Sequence, residues 1–166
     1  MKNPSTHSLT DCVQFQSVNL SPLTTFSTPT VSGSLQLHHL VNNLLTDLLP
    51  QAVRKRTLIL NEIPGGFELR ADENMVAYVL WNLMSNVVNT SANECIHVEA
   101  IKAGNCTMIS LRHVSNYFYR SFSGDLRQVQ DIAVKLGGCI SIECNGENET
   151  TVTFVIGDKI GSANAA

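Results

Sequence analysis

Between Asp72 and Ser91 the run DENMVAYVLWNLMSNVVNTS places Met75, Val76, Val79, Leu80, Leu83 and Val87 on one broad apolar stripe at helical spacing. Asn82, Asn86 and Asn89 recur at i, i+4 and i+7, on a narrow strip beside that stripe. Asparagine is a middling helix former whose amide competes with the backbone. Such a strip is either solvated, or caps a neighbouring loop, or turns a row of amide oxygens toward a ligand or a metal ion. Spacing alone leaves these open.

Upstream, Leu37, Leu40, Val41, Leu44, Leu45, Leu48 and Leu49 fall at helical intervals, with Ser34 placed to act as N-cap. Pro50 is expected to kink or interrupt that helix, because it removes a donor and clashes with the preceding turn, with Gln51 to Arg56 free to resume it for one turn. Thr57 to Asn61 reads as a buried strand, Ile63 to Gly66 as a turn, and Phe67 to Ala71 as a short strand leading into Asp72. Downstream, Ile96, Val98 and Ala100 alternate with His97 and Glu99, and Gly104-Asn105 turns the chain into a second strand from Thr107 to His113. Asp125 to Leu136 carries Leu126, Val129, Ile132, Ala133 and Leu136 on one helical face, with Gly137 at its end. Cys139 to Cys144 and Thr151 to Ile156 form a closing hairpin.

The predicted order is α, β, β, α, β, β, α, β, β. The helices are amphipathic on one side only, so the economical fold is an α+β two-layer sandwich: a mixed β-sheet with about three helices packed on one face. Residues 1–33, rich in Ser and Thr with Pro4, Pro22 and Pro29, are expected to form an irregular arm. Residues 34–157 form the domain, and 158–166 a tail that frays.

Composition narrows the partners. The chain has 166 residues, enough for one domain with a sizeable core. Its net charge of -3, with no basic run beyond Arg54-Lys55-Arg56, argues against nucleic acid. No apolar run nears the roughly 20 residues a bilayer span needs, and the N-terminus has no signal-peptide core, so membrane insertion is not expected. The five cysteines are odd in number and include no C-x-x-C pair, which points to reduced thiols in a cytoplasmic protein.

The run LRADENMVAYVLWNLMSNVVNTS resembles the "N box" helix of the histidine-kinase-type ATPases, the Bergerat-fold (GHKL) domains that end bacterial sensor kinases. Asp72 opens the helix, Asn82-Leu83 matches the first Asn-Leu pair, and Asn86-Val87 matches the following Asn-Ala pair with Val for Ala. Leu136-Gly137-Gly138 with Thr150-Thr151-Val152-Thr153-Phe154 is similar to the His-Gly-Gly turn and Gly-Thr-Thr-Phe strand that close such domains. The resemblance covers roughly Leu35 to Ile156.

The resemblance implies an ATP site with Asn86 offering an oxygen to Mg²⁺ and Asn82 one turn before it. It also exposes what has changed. Tyr78 stands where many relatives carry an acidic residue, and His113 stands where the family's adenine-binding Asp belongs, with Ser115 for the first glycine of Asp-x-Gly-x-Gly. A neutral imidazole accepts one hydrogen bond but lacks the fixed negative charge. The phosphate-binding pattern Gly-x-Gly-Leu falls on Ser123, Gly124, Asp125 and Leu126, where Asp125 would repel phosphate and suits an N-cap instead. The lid shrinks to Asn116 to Phe122, whose Tyr117, Phe118, Tyr119 and Phe122 either fill the pocket or make an interaction patch. His38-His39 lacks the context of a phosphoacceptor histidine and reads as a surface or boundary pair.

The expected function is therefore a signal-transduction module of a two-component system. On this reading it is a pseudo-ATPase acting by protein–protein contact, with no catalytic residue and no cofactor. Its partner would be a response regulator or another histidine kinase, and the fold also admits a homodimer. The alternatives are an Mg-ATP-binding protein in which Asn82, Asn86 and His113 form an altered site, and a phosphotransfer protein using His38 or His39.

Overall fold

The computed structural model describes residues 34–113, 126–145 and 149–157. The expected arm, the lid aromatics, Ser115, Ser123, Gly124, Asp125 and the tail lie outside the described residues. A two-residue strand β1 (Leu35–Gln36) runs into helix α1 (Leu37–Lys55); strands β2 (Leu58–Asn61) and β3 (Glu68–Leu69) follow, then helix α2 (Glu73–Thr90). Strands β4 (Cys95–Ala103) and β5 (Cys106–His113), helix α3 (Leu126–Lys135), and strands β6 (Cys139–Asn145) and β7 (Glu149–Gly157) complete the order.

Five strands form one mixed sheet in the order β2-β4-β5-β7-β6, parallel between β2 and β4 and antiparallel elsewhere. β1 and β3 pair as a separate antiparallel ribbon, Leu35 opposite Leu69. The ribbon was not legible as such, because two residues per strand are too few to show a period.

The core lies between the sheet and the described helices. Val76, Val79, Leu80, Leu83 and Val87 of the predicted stripe are fully buried, joined by Met84 and Val88, while Met75 is half-buried. Inward positions on the strands alternate as the pleat requires: Ile96, Val98 and Ala100 on β4, Thr107, Ile109, Leu111 and His113 on β5. Asp72 caps α2, its side chain accepting from Met75 N at 2.9 Å. Gly137 ends α3 at φ 73°, and Gly138 N donates to Ala133 O at 3.0 Å, which closes the helix in a Schellman turn.

Two local expectations change. Helix α1 runs through Pro50 to Lys55 with no interruption, so the turn from Gln51 belongs to the same helix, and its N-cap is Gln36 rather than Ser34. Pro50 is exposed, while Leu48 and Ala52 on either side are buried. Tertiary packing of that face thus holds the helix against a residue that disfavours it. Strand β2 is an edge strand, with Leu58 exposed and Ile59, Leu60 and Asn61 half-buried, not the fully buried strand the apolar run suggested.

Candidate functional site

The three asparagines of α2 have separate fates. Asn82 is half-buried and turns its amide back onto its own helix, donating Nδ2–H to Tyr78 O at 2.7 Å. Asn89, exposed, accepts from Gln51 Nε2 of α1 and ties the C-terminal turns of the two helices together. Asn86 is half-buried between them, and its main-chain carbonyl accepts from Thr90 Oγ1 at 3.0 Å. Of the three, Asn86 alone has an amide with no described hydrogen-bond partner.

His113 ends β5 on the inward phase of the pleat, with its side chain wholly shielded from solvent. Glu94, in the connection between α2 and β4, brings Oε2 to 3.6 Å from His113 Nδ1. Burial pushes the imidazole below its ordinary pKa, and the facing Glu94 carboxylate only partly offsets this. The native ring is therefore neutral near pH 7.

The sign of the linkage follows from that direction. Unfolded His113 takes up a proton near its ordinary pKa of about 6.5, and the native ring does so only at lower pH. Stability from the neutral ring is thus fully present above about 6.5 and is lost as pH falls through the native value. Wild-type protein is expected to lose stability between pH 7 and pH 5 through this group, and His113→Leu to lose less over the same window. Urea midpoints at the two pH values decide it: an equal fall in both proteins rules His113 out.

Around this pair, at the end of the sheet, lies an open cleft of about 490 Å³ lined by Asn93, Cys95, His97, Arg112 and Glu149 in addition to Glu94 and His113. On its outward side, Arg112 donates to Glu99 Oε1 at 2.6 Å and lies 3.8 Å from Glu149 Oε1. His97 Nδ1 meets Glu62 Oε1 at 3.0 Å, and this contact holds the Glu62 carboxyl below the usual range. Among the described residues no group of three or more His, Cys, Asp or Glu is placed to hold a metal ion.

The histidine pair of α1 also separates. His38 Nδ1 lies 2.6 Å from Ile63 O, so the ring donates there, and its main-chain carbonyl accepts from Asn61 Nδ2 at 3.1 Å. His39 is exposed and meets the His38 ring edge-on at 5.9 Å. His38 thus joins the turn after β2 to α1.

Sequence reasoning singled out Asn82, Asn86 and His113 but not Glu94. Position 94 lies in an irregular connection, and only the closure of β4 on β5 brings it to His113. The burial of His113 did have a signal: it shares the inward phase of Thr107, Ile109 and Leu111.

No protein-family model matches the chain, and no curated protein sequence matches it. Solved structures do. The histidine kinase AdeS of Acinetobacter baumannii superposes with TM-score 0.67 at 15% identity, over 76% of this chain and 67% of that one. The catalytic domain of histidine kinase ThkA superposes with TM-score 0.63 at 19% identity, over 76% of this chain and 96% of that one. ThkA has also been solved in complex with the response regulator TrrA; there this chain spans 42% of the kinase chain, at 17% identity and TM-score 0.63. Among the described residues no helix is long and apolar enough to cross a membrane. The two-layer arrangement of a mixed sheet under three described helices is the fold of the catalytic, ATP-binding domain of histidine kinases.

Proposed function

We propose that this chain is a signalling module that keeps the histidine-kinase ATPase fold without its ATPase chemistry and works by binding a protein of a two-component system. His113 carries this reading. At the position where the resemblance calls for an adenine-binding carboxylate, a neutral imidazole is buried and turned to Glu94, 3.6 Å away. That ring supplies no fixed negative acceptor to an adenine amine. The proposed partner is a response regulator, on the precedent of the ThkA complex with TrrA. That step is analogy from fold and is tested as such.

Calorimetric titration of the protein with ATP and a non-hydrolysable analogue, with and without Mg²⁺, tests the reading. No heat and no thermal shift at millimolar nucleotide are expected. Micromolar binding overturns it. If binding appears, needs Mg²⁺ and disappears in Asn86→Ala, the site survives in altered form, and Asn86 is the residue whose side-chain oxygen would face the metal.

A further inference from the structure

Glu94 is a carboxylate without a counter-charge. Its side chain is only 18% exposed, and Oε2 is shielded from solvent and accepts no hydrogen bond among the described residues. The group it faces, His113 Nδ1 at 3.6 Å, is beyond hydrogen-bonding distance, and burial keeps that imidazole neutral near pH 7. A carboxylate drawn this far out of water ordinarily has a cation beside it. The position is also firmly held. Asn93 N donates to Lys55 O at 3.1 Å, and Leu58 N donates to Glu94 O at 2.9 Å, so the connection between α2 and β4 is tied to the end of α1 and to β2.

The cations nearby among the described residues are engaged elsewhere. Successive residues of a strand point to opposite faces. His113 lies on the inward phase with Glu94, whereas Arg112 points outward, where Glu99 holds it at 2.6 Å and Glu149 approaches to 3.8 Å. His97 meets Glu62 at 3.0 Å. The cleft of about 490 Å³ that Glu94 lines thus has an unmatched carboxylate on its inner side, and two carboxylates sharing one guanidinium at its outer rim. Ligand sites ordinarily span roughly 300–1,000 Å³, so this one is large enough to take a side chain or a small molecule. Its excess charge is negative, which repels a phosphate and attracts a cation.

From this arrangement we infer that the cleft is a receptor for a single guanidinium group, presented by an arginine side chain of a protein partner. The planar cation carries donors in a fork matched to a carboxylate, and it sheds water more readily than an ammonium, which suits a half-buried site. A single unmatched carboxylate asks for a single cation, whereas a polyamine needs a row of anions along its length. No group of three or more His, Cys, Asp or Glu among the described residues is placed to hold a metal ion. The inference rests on the proposed function only for the source of the cation, a protein partner; the choice of a cation over a nucleotide rests on Glu94.

Titration of the full chain with N-acetyl-arginine amide, followed through the backbone amide resonances of Glu94, Cys95 and His97, tests it. Saturable shifts are expected at millimolar probe, and none with the neutral citrulline counterpart. Glu94→Gln is expected to weaken binding by about tenfold or more. Glu143→Gln, which removes the same charge from an exposed position outside the cleft, is expected to bind as the wild type does. Melting curves confirm that both variants fold. Absence of shifts in the wild type overturns the inference, as do equal shifts with citrulline or equal binding by folded Glu94→Gln. Spermidine binding more than about tenfold tighter than the arginine amide also overturns it, by giving the cleft to a polyamine. So does a silent wild type beside a responsive Arg120→Ala, which gives the cleft to a side chain of this same chain. The ATP titration is read separately: nucleotide binding beside intact arginine shifts overturns the proposed function and leaves the cation site standing.

Discussion

Replacing Gly138 by alanine is expected to destabilise the protein by about 3 kcal/mol or more, as an overpacking change with no side chain free to yield. A methyl group at position 138 would fall on the Val155 carbonyl oxygen, 2.5 Å from its carbon and 3.0 Å from Ile156 Cα. All of these are main-chain atoms of β7, the strand that β6 pairs with along its whole length. Relief requires β6 and β7 to move apart just where α3 hands the chain to the sheet. Gly157 makes the reciprocal approach, since a Cβ there would lie 2.6 Å from Gly137 O. The two glycines therefore lock one crossing. Urea denaturation of Gly138→Ala against Gly65→Ala gives a clean comparison, because Gly65 has open space around it. A midpoint for Gly138→Ala within error of Gly65→Ala would show that the crossing relaxes without cost.

Phe154→Ala is the second large effect, expected to cost about 3 to 5 kcal/mol. Phe154 is fully buried in β7, with Ile109 of β5 and Ile140 of β6 as its cross-strand partners. Its removal leaves a hole bounded by a sheet fixed on both sides, which cannot collapse as a helix surface can. Phe154→Leu, which keeps much of the volume, should recover more than half of the loss. The same urea series reads both. A loss under about 1 kcal/mol for the alanine variant would mean that the core around β7 refills freely.

Much of this fold was readable from residues. The α2 stripe was legible because buried positions on a long helix repeat often enough to show their period, and Asp72 and Gly137 marked ends with side-chain and backbone chemistry that acts locally. Pro50 misled because propensity is local whereas the packing of Leu48 and Ala52 is not. The Thr57 to Asn61 run misled because an apolar strand does not announce which of its sides has a neighbour. In the site, His113 was visible by position and by phase, but its partner was not. Glu94 reaches it only through the return of the chain from α2 into β4, and no spacing rule connects residues 94 and 113.

The parallel pairing of β2 with β4 sets how the sheet comes apart. The hairpins β4–β5 and β6–β7 close over short connections, whereas β2 joins β4 only after β3 and the whole of α2 have been laid down. A strand of four residues, bonded on one side among the described residues and added through a long crossover, gains its contacts late and has few to lose. Its amides belong to the least protected class in hydrogen exchange, below the level set by global unfolding. When it opens, the backbone of β4 from Cys95 to Val98 becomes the new edge of the sheet, bearing Ile96 and Val98 from the core. The state most exposed to mispairing is thus reached by releasing four residues, with the rest of the fold in place.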